Sequence, residues 1–328
     1  MSIYVRDAGG NRQKIAGVGL PGPAGKSAYQ YAVEGGFSGT EEEFRAVVGV
    51  RSNPNLLDNW YLADPINQRG QTEYIDFVYT IDRWGTEGAI IKVEDDGLQL
   101  ENPSEGAVQF VTNFEASRLI DNQVYTAAIL AKNLVGSGIM IIQHRAGMYT
   151  YLAANALSEG LTATSGQIST SGIPLLGITI RLEPHSSVKL IAAKLELGPV
   201  QTLAHKDASG NWVLNDPPPN KALELAKCQR YQLIYREQEL GLAHRFNNLF
   251  LLFMKLPVPL RTRPNVSVGG QVVMRTAGQY VPVTNVTLDT YNNGTMLLAL
   301  SYDGTTDSDV ADIIISGSDS YLAVDANL

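Results

Sequence analysis

From about residue 52 onward, short runs of apolar residues alternate with polar ones: Ala89–Val93, Leu98–Leu100, Val108–Val111, Val124–Ala131, Gly138–Gln143, Leu176–Leu182 and Val188–Leu195. A period of two sends successive side chains to opposite faces of a pleated strand, so each run predicts a half-buried strand. Turn residues separate the runs at Asp95-Asp96-Gly97, Gly136-Ser137-Gly138 and Ser165-Gly166. Many short strands, regular turns and almost no helical period predict an antiparallel sandwich, and a segment of about 150 residues suits a jelly roll.

The period changes near both ends of that segment. Ser27-Ala28-Tyr29-Gln30 is a capping box, and Gly35-Gly36 would end its helix. Thr40-Glu41-Glu42-Glu43 is a second box, with three acids at the positive helix end and Phe44, Val47 and Val48 on one face before Gly49. Helices of about two turns are not stable alone and must dock. Ahead of them, Ile3 and Val5 predict a short strand. On the far side, Asp207–Trp212 reads as a hairpin tip and Pro217-Pro218-Pro219 as a stiff spacer. Asn220 then caps a predicted helix over Lys221–Arg230. Beyond Tyr231 the alternation returns, at Leu249–Leu256, Asn265–Val268, Val272–Arg275, Val281–Val286, Met296–Tyr302, Asp312–Ile315 and Tyr321–Val324. The chain therefore reads as mainly β. An extended and short-helix region (1–51) precedes an antiparallel jelly-roll sandwich (52–203). A linker (204–220) leads to a short helix and a second antiparallel β-sandwich module (221–328).

Composition narrows the function classes. Only 18% of the 328 residues are charged, while glycine reaches 31 residues, which suits β-sandwiches and exposed fibres. A net charge of −8 argues against a nucleic-acid surface, because phosphate recognition relies on Lys and Arg. No run of 18 apolar residues predicts membrane insertion, and the first residues lack the basic and apolar regions of a signal peptide. Cys228 is the single cysteine, so no intrachain disulfide is possible and synthesis in a reducing cytoplasm is expected.

Gly19-Leu20-Pro21, Gly22-Pro23-Ala24 and Gly25-Lys26-Ser27 are collagen-type triplets. Glycine at every third position lets three polyproline-type chains share one crowded axis. Three triplets cannot hold a triple helix alone, but they can register three chains held together elsewhere, which predicts an extended homotrimer. Gly25-Lys26-Ser27 also resembles the end of a phosphate-binding loop. That pattern requires glycine where Leu20 stands, and a buried strand where Asn11-Arg12-Gln13-Lys14 is polar.

Several segments together resemble one family, the tail fibre and receptor-binding proteins of phages and prophages of Gram-positive bacteria. Gly25–Phe44 is similar to the two-helix unit that follows short collagen-like tips there. Asn55-Leu56-Leu57-Asp58-Asn59-Trp60, Asn67-Gln68-Arg69-Gly70 and Ile81-Asp82-Arg83-Trp84 resemble the opening of their carbohydrate-binding-type jelly rolls, and Ala193–Thr202 the closing strand. Leu225-Ala226-Lys227-Cys228-Gln229-Arg230-Tyr231 resembles a helix that precedes a terminal β module. In the final module only Tyr321-Leu322-Ala323-Val324-Asp325-Ala326 matches. The resemblance implies a homotrimer in the virion tail. Its N-terminus would meet tail or baseplate proteins, and a fibre anchored there would present residues 221–328 as the receptor-binding module for a host cell-surface polysaccharide.

Candidate chemistry is sparse. His144, His185, His205 and His244 have no metal-ligand spacing, no nucleophile elbow exists, and Cys228 sits among apolar helix residues, so no metal, cofactor or catalytic residue is expected. Asp303, Asp307, Asp309 and Asp312 cluster without the spacing of a calcium loop and read as turn chemistry. Trp60 and Trp84, flanked by Leu57, Leu62 and Ile81, read as core. Tyr149 and Tyr151 beside a Gly-Met turn, and Tyr280, Tyr291 and Tyr302 at strand ends, are candidates for stacking on a sugar. A flat apolar face with a polar tip suits a pyranose, although aromatics equally fill cores and interfaces. Two other classes stay open, a non-binding tail spacer and a tail-associated glycan hydrolase with two acids across a cleft.

Overall fold

The computed structural model describes residues 2–6, 9, 12–17, 28–36, 38–40, 53–75, 78–144, 150–171, 175–292, 294–303, 306 and 308–326. The glycine triplets, the predicted helix over 41–49, Tyr149 and Asp307 lie outside the described residues. The chain forms two compact units, Met1–Ser52 and Asn53–Leu328. In the first, β1 (Ser2–Arg6) pairs antiparallel with β2 (Arg12–Gly17), and α1 spans Ala28–Glu34. As the capping pattern predicts, α1 stops at the glycine pair, with the Gly35 N–H donating to the Tyr31 carbonyl. The Tyr29 hydroxyl donates to the Gly39 carbonyl at 3.0 Å.

The second unit holds two hydrophobic cores. The first lies within a sandwich of twelve strands: β3 (Glu73–Tyr74), β4 (Val78–Tyr79), β5 (Trp84–Glu87), β6 (Ile90–Glu94), β7 (Gly97–Glu101), β8 (Val108–Glu115), β9 (Gln123–Val135), β10 (Gly138–His144), β11 (Thr150–Ala156), β12 (Gly160–Ile168), β13 (Leu175–Leu182) and β14 (Ser187–Leu197). One sheet runs β11-β10-β13-β8-β5-β4 and the other β12-β9-β14-β7-β6-β3, with every strand pairing antiparallel. All seven predicted runs are strands here, in a jelly-roll arrangement. Trp84 is fully buried and stacks on Phe110 at 4.8 Å between centroids, so its reading as core holds. Ser165-Gly166, read as a turn, instead lies inside β12 and pairs with Thr126 and Tyr125. This strand is a sheet edge, where polar residues are tolerated because only one side is paired.

The segment after the sandwich stays on it. A hairpin of β15 (Ala204–Lys206) and β16 (Trp212–Leu214) forms around the predicted tip, and Trp212 and Leu214 pack against the first core. The fully buried Lys194 ammonium reaches the Asp216 carboxylate at 2.8 Å. After the prolines, Asn220 caps α2 (Lys221–Gln229), its Oδ1 accepting the Ala222 and Leu223 N–H groups.

The second core is wrapped by β17 (Gln232–Arg236), β18 (Glu239–Phe246), β19 (Leu249–Lys255), β20 (Asn265–Thr276), β21 (Gln279–Asn292), β22 (Thr295–Tyr302) and β23 (Val310–Asp325). They order β17-β23-β18-β19-β22-β21-β20, and β20 pairs again with β23, closing the sheet on itself. The sequence pattern splits both β20 and β23 into two strands. In the structure each is continuous through an irregularity, with a register slip between Gly269 and Gln271, and the Ser320 hydroxyl accepts the orphaned Gln271 N–H. β17 and β18 had no clean alternation to announce them.

Candidate functional site at the joint between the two β modules

The joint is polar. The Glu224 carboxylate on α2 accepts the backbone N–H of Asn59 at 2.5 Å. Asn59 is buried at positive φ, and its side chain ties the Ile66 and Asp82 backbones together. The Arg83 guanidinium lies 3.5 Å from the Tyr231 ring centroid, donates to the Asn113 carbonyl and faces Asp58. The Tyr231 hydroxyl donates to Glu115, which also pairs with Arg261 at 3.1 Å. Gln68 Nε2 bridges to Asp82 and to the Gln232 carbonyl. The segments Asn55–Trp60, Ile81–Trp84 and Leu225–Tyr231, far apart in the chain, thus meet in one contact. Cys228 is buried there, and its thiol is pushed well above the ordinary range, chiefly by that burial, so it is an inert filler.

Beside this contact a cleft of about 510 Å³ opens between the modules. One wall follows from strand periodicity. Gln232, Ile234 and Arg236 of β17 stand opposite Asp325, Ala323 and Tyr321 of β23, and Ser267 and Gly269 of β20 stand opposite Ala323 and Tyr321. Residues directly opposite share a face, so one surface carries a three-strand patch, while Leu233, Leu322 and Val324 turn into the second core. Tyr321 lies flat across Gly269, where a Cβ would fall 2.3 Å from Tyr321 Cε1, so only glycine admits the ring. The other wall comes from the sandwich: Arg69, Gln71, Glu73, Tyr74, Ile75 and Tyr79. Gly70, at φ +66°, lets the chain turn with a Cβ position only 3.3 Å from Arg236 Nη1.

Electrostatics within the cleft follow from burial. Arg69 donates to the Thr80 carbonyl at 3.1 Å and sits 5.5 Å from the Tyr79 ring centroid. Burial pulls its guanidinium below the usual range, against the opposing pull of Asp82 and Asp325. Burial likewise pushes Tyr74 up to about 12, with Arg69 opposing, and its hydroxyl donates to Asn67 Oδ1. Asp82 is raised by burial, while hydrogen bonds from the Gln68 N–H and amide hold it the other way. Two buried polar atoms of the lining, Gln232 Oε1 and Arg236 Nε, have no hydrogen-bond partner. Such atoms are costly unless something satisfies them.

Of the tyrosines singled out from sequence, the four among the described residues, Tyr151, Tyr280, Tyr291 and Tyr302, do not line this cleft. Tyr151 is 50% exposed on the edge strand β11. Tyr280 is 63% exposed at the start of β21. Near the other end of that strand, Tyr291 packs on the second core and donates its hydroxyl to the Leu260 carbonyl at 3.0 Å. Tyr302 packs edge-on against Phe250. Tyr74, Tyr79, Tyr321, Gln232 and Arg236 were not singled out. The signal for three of the five was present, in the polar or aromatic outer positions of Gln232-x-Ile234-x-Arg236 and Tyr321-x-Ala323-x-Asp325. Among the described residues no group of three or more His, Cys, Asp or Glu could hold a metal ion, and no helix is long and apolar enough to cross a membrane.

No family model matches the chain, and no curated protein matches it. Solved structures give distant likenesses. A CBM4 structure shares 14% identity at a TM-score of 0.32, covering 43% of this chain and 99% of that one. The CBM22-1–CBM22-2 tandem domain from Paenibacillus barcinonensis Xyn10C shares 10% at 0.31, covering 84% and 91%. The PBSX exported protein XepA shares 12% at 0.21, covering 80% and 87%. At these values the likenesses carry no argument about function, which rests on the cleft's own chemistry.

Proposed function

We propose that the chain is a receptor-binding protein of the phage tail fibre type that adheres to glycans on a bacterial surface, with the cleft between its two β modules as the sugar site. One observation carries this reading: a cleft flanked by the Tyr321 and Tyr79 rings in which a buried acceptor, Gln232 Oε1, and a buried donor, Arg236 Nε, both lack partners. A sugar hydroxyl both donates and accepts, and a pyranose face stacks on tyrosine. The segments that carry the family resemblance, Asn67–Gly70 and Tyr321–Ala326, supply residues of both walls. In this reading residues 1–51 join the fibre to tail or baseplate proteins, and the glycine triplets register a homotrimer. Three weak sites then add through effective concentration. Light scattering on the purified chain is expected to give about three times 35.5 kDa, and a clean monomer at micromolar concentration contradicts the trimer.

The experiment is capture of host cell-wall polysaccharide by the full chain, compared with Tyr321→Ala. Loss of a stacking ring is expected to weaken each site by about 1–2 kcal/mol. Glu73 and Asp325 line the same cleft, so the assay also follows fragment release. Release of shortened glycans establishes a hydrolase. Neither capture nor release establishes a structural spacer.

A further inference from the structure

We propose that the glycan taken by the cleft carries an anionic substituent, a carboxylate or a phosphate, and that Arg236 is the residue that reads it. This rests on the sugar-site reading above.

The argument is one of charge balance. Two cations line the cleft, Arg69 and Arg236. Arg69 has Asp82 and Asp325 close enough to offset its charge, and it spends one N–H on the Thr80 carbonyl. Glu73 is exposed, so solvent screens its charge; it stands opposite Lys92, whose ammonium is paired with Glu101 at 2.8 Å. Arg236 differs. Among the described residues it has no ion pair, and its buried Nε has no acceptor. It is held in place all the same. It stands opposite Tyr321 across the β17–β23 pair and rests against Gly70. A guanidinium presents its N–H groups in a rigid fork that matches a carboxylate or a phosphate bidentately. A half-buried fork with no ion pair in a cleft is suited to hold an anion bidentately. Next to it, Gln232 is 3% exposed, its amide nitrogen donates to Asp325, and its Oε1 is left to accept a hydroxyl. The two unmet groups ask for one ligand with both features: a hydroxyl-bearing ring and one negative charge.

The test is equilibrium binding of the full chain to three immobilised polymers: a neutral glucan, a polyuronate and a sugar-phosphate polymer. Wild type is compared with Arg236→Gln and Arg236→Lys, each checked for native near-UV circular dichroism. Wild type is expected to prefer one or both charged polymers and to lose that preference as salt rises. Arg236→Gln should weaken the charged polymer about tenfold or more, and by clearly more than it weakens the glucan. Arg236→Lys should keep part of the preference, because it keeps the charge and loses the fork. Which charged polymer binds distinguishes carboxylate from phosphate. Equal binding of all three polymers, or a preference that survives in Arg236→Gln, overturns this inference and leaves the sugar site standing. Binding of none overturns both. If neither variant folds, the salt-sensitive preference of the wild type alone decides.

Discussion

The two hydrophobic cores and the joint between them are built on opposite principles. Each core is a cluster of apolar side chains, with Trp84, Phe110, Ile129 and Leu195 in the first and Phe250, Leu298, Ile313 and Val324 in the second sealed from solvent; the few charges the sandwich buries, such as Lys194 and Glu196, have partners in the following segment. The joint is nearly as buried but polar, with Asp58, Asn59, Asp82, Arg83, Glu224 and Gln232 all hidden from solvent. Burying apolar area is non-directional and tolerates repacking. Buried charges and amides must each find a partner at the right angle, so they stabilise little in net terms but fix one arrangement. The difference implies that the cores make the modules fold and the joint decides how they meet. The cleft depends on how they meet, because its two walls belong to different modules.

The largest effect expected is in a core. Trp84→Ala removes a fully buried ring stacked on Phe110 and should cost about 3–5 kcal/mol in denaturant unfolding. A loss near 1 kcal/mol would show that the sandwich core is loosely packed and break the comparison at its firmer end.

Next comes the joint. Glu224→Ala leaves the buried Asn59 N–H without its acceptor, which should cost about 1–3 kcal/mol. Its signature is separate from the core variant's: scanning calorimetry should resolve two transitions where the wild type shows one, because the coupling between modules falls while each core is untouched. A single transition shifted as a whole would mean that Glu224 serves the first module alone.

A smaller effect is expected from alkali. Tyr74 titrates near 12 in the folded chain, raised by burial from an ordinary value of 10. The folded state therefore holds its proton where the unfolded state has lost it. This contribution is fully present below pH 10 and is lost as pH rises from 10 towards 12. Tyr74→Phe should flatten that part of the stability profile. A profile unchanged by the substitution would mean that the hydroxyl is not sealed in the cleft wall.

Smallest is the surface. Asp96 is bound by Lys132 and Lys189 and is held down to about 2 chiefly by those hydrogen bonds. Its contribution is present above the ordinary carboxylate value and is lost as pH falls through about 2. Because the pair is exposed and screened, Asp96→Asn should leave the melting temperature at neutral pH within error of the wild type.

What the sequence revealed follows the same division. The cores were legible because period-two alternation is a local signal. All seven runs in the sandwich are strands, and Asn220 caps its helix as read. The joint was visible only as scattered segments of family resemblance, Asn55–Trp60, Ile81–Trp84 and Leu225–Tyr231, whose meeting no local pattern announces. β17 was missed because Leu233, Ile234 and Tyr235 run apolar without alternation, and β18 because Gly241 and the polar pair His244-Arg245 break its pattern. The tyrosines proposed from sequence were chosen for their place at strand ends, and that criterion cannot separate Tyr291, which holds the Leu260 carbonyl, from Tyr321, which forms a wall of the cleft. The difference is set by which face of a closed sheet each ring occupies and by Gly269, three strands earlier in the chain, which pairs with Tyr321.

The most direct test of the account is hydrogen exchange on the full chain with and without a soluble fragment of bacterial surface polysaccharide, the ligand proposed for the cleft. Binding at the joint should slow exchange together in residues 69–74 of the sandwich and in the paired segments 232–236 and 321–325 of the second module, which face them across the cleft. Protection confined to β11 around Tyr151, or to the β21 end around Tyr280, would place the ligand elsewhere and contradict the assignment of the site.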